Sequence, residues 1–455
     1  MDTTENNQTS PLIPPVTWTK TDILLTTLAV LIVLGDSIET HLPGVITQQV
    51  SCELGASSLQ ENFLEIIYYF TMALTIFVSA PINKILNLRS VLMLSMYSSI
   101  VLTVVCASVP NYTTMMLSRA GIGVGVGLNI SSVGVFFVRH VSHPRIAVIG
   151  VFLLTLFNAV GSAWVSLLAW LFLDLIRWRL LILCASIPLF IPPVVILHCY
   201  SFERSNESHD DGKNVTKHQT NNNETIENDG KENDGEILAN KGEGRAYNKE
   251  IVVSNPIKRI VKLSVCEGNN SLLRFCSIIM LPSVLRTYNQ TTLTEPRDGE
   301  YEKGCGNSVY GNQFLVIAGT IGITNVLGRL IGWFLRDRIT FRVLQISSLL
   351  IIMIAYITVN FHNQDIVAVT VVIGVGRLLY AIQQVELGIV RCDPEYFGTS
   401  FLQLGFSISI GASITGGLVG IVIAAFCTAN VVYIVTIITC VVQIALVYFM
   451  TEIQR

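Results

Sequence analysis

Eleven apolar runs, each long enough to cross a lipid bilayer as a helix, limit what this chain can fold into more than any other feature. A hydrocarbon core about 30 Å thick requires about 20 helical residues at about 1.5 Å each. Lipid offers the backbone no hydrogen-bond partner, so such runs cross it as helices. The sequence therefore predicts an all-α membrane protein with spans at 22–46, 57–79, 90–109, 112–138, 147–174, 178–200, 314–335, 343–361, 364–390, 399–426 and 429–450.

A twelfth span is weaker and is placed at 272–293. Its apolar part, Leu272 to Leu285, contains Pro282 and has about 14 residues, which is short for a span. The composition, 51% hydrophobic and 13% charged residues, fits a twelve-helix protein and not a soluble domain. We therefore expect two bundles of six helices, with the seventh helix weak.

Residues 201–271 separate the two bundles. They are rich in Asn, Glu, Lys, Asp and Gly and poor in aromatic residues, so they cannot bury enough apolar surface to fold. The sequence predicts a cytosolic N-terminal tail (1–21), a six-helix bundle (22–200), a disordered cytosolic linker (201–271), a second six-helix bundle (272–450) and a cytosolic tail (451–455).

The positively charged residues of the short loops predict the orientation of the chain. With both termini in the cytosol, the inner loops carry more Lys and Arg than the outer ones, as the positive-inside rule requires. The N-x-S/T triplets of the central loop, which begin at Asn206, Asn214, Asn223 and Asn269, should then remain unglycosylated. The inner cations are Lys84, Arg89, Arg139, Arg145, Arg336, Arg338, Arg342 and Arg391.

Two acids, Asp36 and Glu39, lie near the middle of the first apolar run. Charged side chains at such a depth are costly, and they mark functional sites by default when they face a polar interior. Their i, i+3 spacing places both on one face of a helix. We expect this face to point into the protein and to carry its chemistry.

The fourth span combines one cation, Arg119, with a string of alternating glycines. A buried Arg needs an anionic partner or a wet cavity, and Asp36 and Glu39 are both candidates. Glycines let neighbouring helices approach closely, so we expect helix packing at this string. It consists of Gly121, Gly123, Gly125 and Gly127.

The second half has three charged residues within its spans. Arg377 lies deepest in its run, and a role in the central cavity is favoured for it. Arg329 and Glu386 lie nearer the ends, where lining the cavity and snorkelling toward water are both open. Cys52 and Cys305 fall in predicted outer loops, and either a disulfide or two free thiols is compatible with that placement.

Enzyme chemistry has no sequence support. The chain lacks a Gly-x-Ser-x-Gly elbow, a His-Glu-x-x-His helix, a Walker A sequence and Cys or His residues at zinc-binding spacing. We therefore predict neither a cofactor nor a metal and no nucleic-acid partner.

These features together resemble the major facilitator superfamily. More narrowly, the segments Gly35–Glu39, Cys52–Glu61, Arg119–Gly127 and Trp178–Leu183 are similar to those of the synaptic vesicle protein 2-related transporters, near relatives of the organic ion transporters. The resemblance implies a secondary transporter that moves a small organic solute, charged or neutral, by alternating access, in a vesicle or plasma membrane.

Under this resemblance, Asp36 would be the acid that couples transport to a proton or another cation. Arg119 would be its counter-charge, and Glu39 would line the cavity beside Arg377. A desolvated carboxylate favours its neutral form and an approaching cation favours its charged form, so protonation would release the pair.

The chain departs from the superfamily at its cytosolic loops. The segment 83–89 lacks the usual acid, and 337–342 keeps Asp337 and Arg338 as a candidate cytosolic gate but lacks the glycine. This erosion leaves an alternative of another class open, a transport-inactive membrane receptor or scaffold.

Overall fold

The computed structural model describes residues 17–172, 177–200, 255–273, 312–361, 366–398, 400–426 and 429–449. Residues 1–16 of the predicted N-terminal tail, the predicted C-terminal tail, 201–254 of the predicted linker, 274–293 of the predicted seventh span and Cys305 lie outside these residues, as does the side chain of Cys52. The predicted disulfide therefore stays a prediction.

Within the described residues the chain is almost entirely α-helical, as the sequence predicts. The first half holds α1 (Lys20–Leu54), α2 (Ser58–Ile85), α3 (Leu88–Ser108), α4 (Tyr112–His140), α5 (Pro144–Phe172) and α6 (Trp178–Cys199). The second half holds α7 (256–273), α8 (Asn312–Leu335), α9 (Phe341–Phe361), α10 (Ile366–Arg391), a short α11 (Pro394–Phe397), α12 (Leu402–Phe426) and α13 (Ala429–Phe449).

Eight of these helices contain a stretch that is long and apolar enough to cross a membrane. They are α1 to α6, α10 and α12, and shorter apolar stretches lie in α9 and α13. The prediction of an all-α membrane protein is confirmed.

The structure corrects the boundary between the linker and the second bundle. Residues 256–271, predicted as disordered linker, are helical, and Ile260, Leu263 and Glu267 among them are buried. The seventh helix thus begins 16 residues before the predicted start at 272. The prediction of disorder was wrong because it rested on the polar composition of this segment. Lys258, near the helix start, is exposed, but polar residues further along the helix are buried.

Contacts at similar places support α7 as the counterpart of α1. At the start of α1, Asp22 accepts hydrogen bonds from the backbone and hydroxyl of Ser142, which follows α4. At the start of α7, Arg259 donates to the carbonyl of Tyr396, which follows α10. The first helix of each half is therefore bonded to the segment that follows its fourth helix, a loop in the first half and α11 in the second.

A second pair of contacts repeats in the same way. Arg89, the second residue of α3, donates to the carbonyl of Leu197 at the end of α6. Arg342, the second residue of α9, donates to the carbonyl of Val447 at the end of α13. In both halves an Arg thus binds a carbonyl in the last turn of a helix, as its charge favours.

The two halves meet through α2 packed on α12 and α5 packed on α8. We call the end of the bundle at which α1 begins the Lys20 end. There, the hydroxyls of Ser79 and Ser407 lie 3.1 Å apart, and Gln403 donates to the carbonyl of Ser131 at 3.2 Å. Uncharged hydrogen bonds join the halves at this point.

The α5–α8 contact continues from the Lys20 end toward the middle of the helices. The rings of Phe152 and Trp333 stack with centroids 4.3 Å apart. Further along, a Cβ on Gly322 would lie 2.6 Å from the Cα of Ala163, so the two backbones nearly touch. At about 1.5 Å per residue, this seam runs for roughly 16 Å.

The alternating glycines of α4 face two different helices. A Cβ on Gly123 or Gly127 would meet backbone carbonyls of α2, at 2.5 and 2.8 Å respectively. A Cβ on Gly121 or Gly125 would instead meet α3, first at side-chain atoms 2.6 and 2.5 Å away respectively. Alternate glycines thereby let α4 lie close to α2 and α3 at once, which fixes the position of its charged residue.

A polar contact fastens the first half at the end opposite Lys20. Glu53 accepts hydrogen bonds from the indole of Trp178 and the guanidinium of Arg179, which also donates to the carbonyl of Val109 at 2.7 Å. Partial burial raises the pKa of Glu53, but these donors outweigh it and hold the pKa below its usual value. The contact joins α1, α3 and α6.

Candidate functional site

Asp36 lies on α1 in the interior of the first half, with 1% of its surface exposed. Its Oδ1 accepts a hydrogen bond from the amide of Asn129 on α4 at 3.0 Å, and the carbonyl of that amide accepts one from Ser95 on α3. Its Oδ2 has no hydrogen-bond partner among the described residues. One oxygen of this fully buried carboxyl group is therefore available to bind a proton.

Glu39 is the acid that pairs with Arg119. Oε2 of Glu39 lies 3.6 Å from Nη1 of Arg119, and both side chains are at most 1% exposed. Oε1 accepts a hydrogen bond from Thr103 on α3 at 2.8 Å. The prediction that Arg119 is the counter-charge of Asp36 is therefore wrong in this structure.

The antiparallel register of α1 and α4 explains the exchange of partners. Three contacts follow one another along the two helices: Asp22 with Ser142, Asp36 with Asn129, and Glu39 with Arg119. Arg119 comes early in α4, and so it lies beside the later of the two acids. Asp36, one turn earlier, meets a neutral amide.

A chain of polar contacts leads from this site into the second half. Ser37, next to Asp36, donates to the carbonyl of Asn158 on α5 at 2.6 Å. The side-chain oxygen of Asn158 accepts a contact of 3.4 Å from Arg329 on α8. Arg329 is 4% exposed, so it does not snorkel to water but lies between the halves.

The remaining charged residues of the second half lie on α10. Arg377 is 2% exposed, so its guanidinium is buried as the sequence suggested. Glu386 is 13% exposed and lies 3.9 Å from Arg336, at the end of α8. Arg377 and Glu386 thus occupy different environments on one helix.

The candidate gate residues Asp337 and Arg338 are both exposed. Asp337 contacts its neighbour Arg336 at 3.6 Å, and Arg336 is the cation that reaches α10. In the first half, Asn83 stands where the superfamily has an acid, and its amide bonds to the hydroxyl of Ser132 on α4 at 3.1 Å.

Two residues of the polar interior were missed by the sequence analysis. Asn129 is the direct partner of Asp36, and a buried amide within an apolar span was the available signal. Glu267 on α7 is 0% exposed, but it fell within the predicted linker. The recurrence of Ile260, Leu263 and Cys266 at helical spacing was the signal for that helix.

Two helical halves packed around buried charges define a multi-pass membrane protein with a polar interior, the architecture of a transporter. The sequence pattern of the Major Facilitator Superfamily matches residues 25–414, so the chain belongs to this superfamily. It is a membrane transporter, as the resemblance implied. A comparison with curated proteins finds no match.

Proposed function

We propose that this protein is a secondary active transporter that moves a small organic solute by alternating access, with Asp36 as the proton-coupling acid. The observation that carries the proposal is the environment of Asp36. It is a buried carboxyl group held by a neutral amide, with one oxygen open and without a salt bridge among the described residues.

The chemistry of this environment suits a reversible proton carrier. Burial without a cation disfavours the charged carboxylate, while the amide of Asn129 can donate to either protonation state. Glu39, by contrast, has its charge balanced by Arg119 at 3.6 Å. We therefore assign proton exchange to Asp36, and to Glu39 and Arg119 the structural pairing of α1 with α4.

The arrangement of the halves supports alternating access. The two first helices carry equivalent anchoring contacts, and the halves join through neutral hydrogen bonds at the Lys20 end, which the charge distribution assigns to the cytosol. Such bonds can break and re-form without separating buried charges. In this structure these bonds hold the halves together at the Lys20 end.

Similarity of the first half to the synaptic vesicle protein 2-related transporters supports an organic solute as cargo. It also supports a vesicle or plasma membrane as the location. Arg377 and Arg329, both buried in the second half, are the cations that a charged solute would meet.

Uptake into proteoliposomes, with and without an imposed pH gradient, tests the proposal across a panel of organic ions. We expect the gradient to drive accumulation by the wild type. Asp36→Asn should abolish gradient-driven accumulation and leave protein abundance unchanged, because it removes the ionisable group and keeps the shape. Thr27→Ala is the control variant, since Thr27 lies on the same helix as Asp36 and its side chain is exposed.

Two outcomes would contradict the proposal. Gradient-driven accumulation that persists in Asp36→Asn would remove Asp36 from the coupling step. A wild type that moves no solute and shows no ligand-induced thermal shift would instead favour the inactive receptor or scaffold.

A further inference from the structure

A second buried ion pair joins α7 to α10 in the other half of the protein. Nε of Arg391 donates to Oε1 of Glu267 at 2.7 Å, and Nη2 of the same guanidinium contacts the side-chain oxygen of Gln384 at 3.3 Å. Glu267 is 0% exposed, and Arg391 is 14% exposed. The proposed coupling at Asp36 does not use this pair.

Polar atoms beside this pair lack partners. Oε2 of Glu267 has no hydrogen-bond partner among the described residues, and the same holds for both side-chain amide atoms of Asn270. Asn270 lies one turn further along α7 and is 1% exposed. A buried polar group without a partner is costly, so these atoms mark a place for a bound proton and a water molecule.

The neighbours of Glu267 leave Arg391 as its balancing charge within the described part of the chain. From α9 and α13, Gln345 and Gln443 donate to the sulfur of the adjacent Cys266, and both are neutral. From α12, Ser413 bonds to Ser271 at 2.5 Å. Tyr380 on α10 and Cys392, directly after α10, are the other titratable groups near the guanidinium of Arg391.

The two halves carry comparable ion pairs at different depths, but Arg119 is 1% exposed whereas Arg391 is 14% exposed and can be reached from water. Glu39 and Arg119 join the first and fourth helices of one half, and Glu267 and Arg391 join those of the other. The contacts at the helix starts align Asp22 with Arg259, which places Glu267 level with position 30 of α1. Glu267 is therefore about 9 Å nearer the Lys20 end than Asp36 is, at about 1.5 Å per residue.

We propose that Glu267 is a second proton-binding site, reached from the Lys20 end past the partly exposed Arg391. A proton from water binds at the open Oε2 and makes the carboxyl group neutral. Arg391 keeps its own proton and loses its ionic partner, which weakens the contact between α7 and α10. This inference extends the proposed proton coupling to a second site but does not depend on Asp36.

Infrared difference spectra between acidic and neutral pH test the inference without knowledge of the solute. Purified protein in liposomes should show carboxyl bands that appear on protonation. We expect Glu267→Gln to remove one component and Asp36→Asn to remove another. Glu267→Asp keeps a carboxyl group and should retain a shifted component, so it controls for loss of structure.

Arg391→Gln keeps Glu267 and removes its cation, so the Glu267 component should appear at higher pH. Spectra of a folded Glu267→Gln protein that match the wild type would overturn the proposal. If Glu267→Gln fails to fold, an unchanged midpoint in Arg391→Gln would overturn it instead. A change in Glu267→Gln with none in Asp36→Asn would refute the proposed role of Asp36 and leave Glu267 standing.

Discussion

Replacing Gly123 with alanine should destabilise the protein because α4 lies too close to α2 to admit a methyl group. The new Cβ would lie 2.4 Å from the hydroxyl of Thr71 and 2.5 Å from the carbonyl oxygen of Tyr68. The carbonyl belongs to the backbone of α2 and cannot move alone. The hydroxyl is held by the carbonyl of Ala120 at 2.9 Å, so α4 itself must shift.

The expected cost follows from two opposing effects. Overpacking a tight contact costs about 1–3 kcal/mol, and a contact with backbone belongs at the upper end of that range. Alanine gains about 1 kcal/mol over glycine in helix propensity. The net destabilisation of Gly123→Ala should therefore be about 1–2 kcal/mol, or roughly a 5- to 30-fold fall in the ratio of folded to unfolded protein.

Two further glycines provide matched controls. A Cβ on Gly121 would meet the flexible end of Leu102 at 2.6 Å, and a Cβ on Gly376 of α10 would meet nothing within 4 Å. Thermal unfolding in detergent should therefore rank Gly376→Ala as the most stable variant and Gly123→Ala as the least stable. If Gly123→Ala melts with or above Gly376→Ala, the close approach of α4 and α2 is refuted.

Three further predictions concern contacts between helices. Arg119→Gln should lower the free energy of unfolding by roughly 3–5 kcal/mol, because it leaves Glu39 buried and unpaired. The double variant with Glu39→Gln should recover more than half of that loss. If the losses of the two single variants simply add in the double variant, the ion pair is refuted. The hydroxyls of Ser79 and Ser407 lie 3.1 Å apart, so cysteines at both positions should form a disulfide on oxidation. This disulfide should stop transport until it is reduced. Two free thiols that persist in the mass spectrum after oxidation would refute the contact between the halves. The pKa of Glu53 is lowered in the folded state, so the stabilisation it gives is present at neutral pH and is lost as the pH falls below about 4.5. The melting temperature of the wild type should therefore fall more on acidification than that of Glu53→Gln. Equal falls would contradict this prediction.

Glycosidase treatment tests the orientation of the chain, which rests on charge counts alone. With the central loop in the cytosol, Asn206, Asn214 and Asn223 should carry no glycan, and treatment should leave the mobility of the protein unchanged. A mobility shift that disappears when these residues are replaced would invert the orientation.

Much of the helical framework could be predicted because hydrophobic length is a local property. A run of about 20 apolar residues must form a helix in lipid whatever its neighbours are. The same reasoning failed at α7, whose buried face carries Glu267, Asn270 and Ser271. A helix that satisfies polar residues with partners far along the chain looks, in composition, like a linker.

The sequence by itself determined that Asp36, Glu39 and Arg119 face inward, because exposing such groups to lipid is costly. The tertiary structure alone decided how they pair. Asp36 and Glu39 are separated by about 4.5 Å along one helix, so the register of α4 against α1 selects between them. That register depends on how closely the glycines of α4 pack on α2 and α3, which is a contact between distant parts of the chain. In the resulting register Arg119 pairs with Glu39, and Asp36 accepts a hydrogen bond from Asn129.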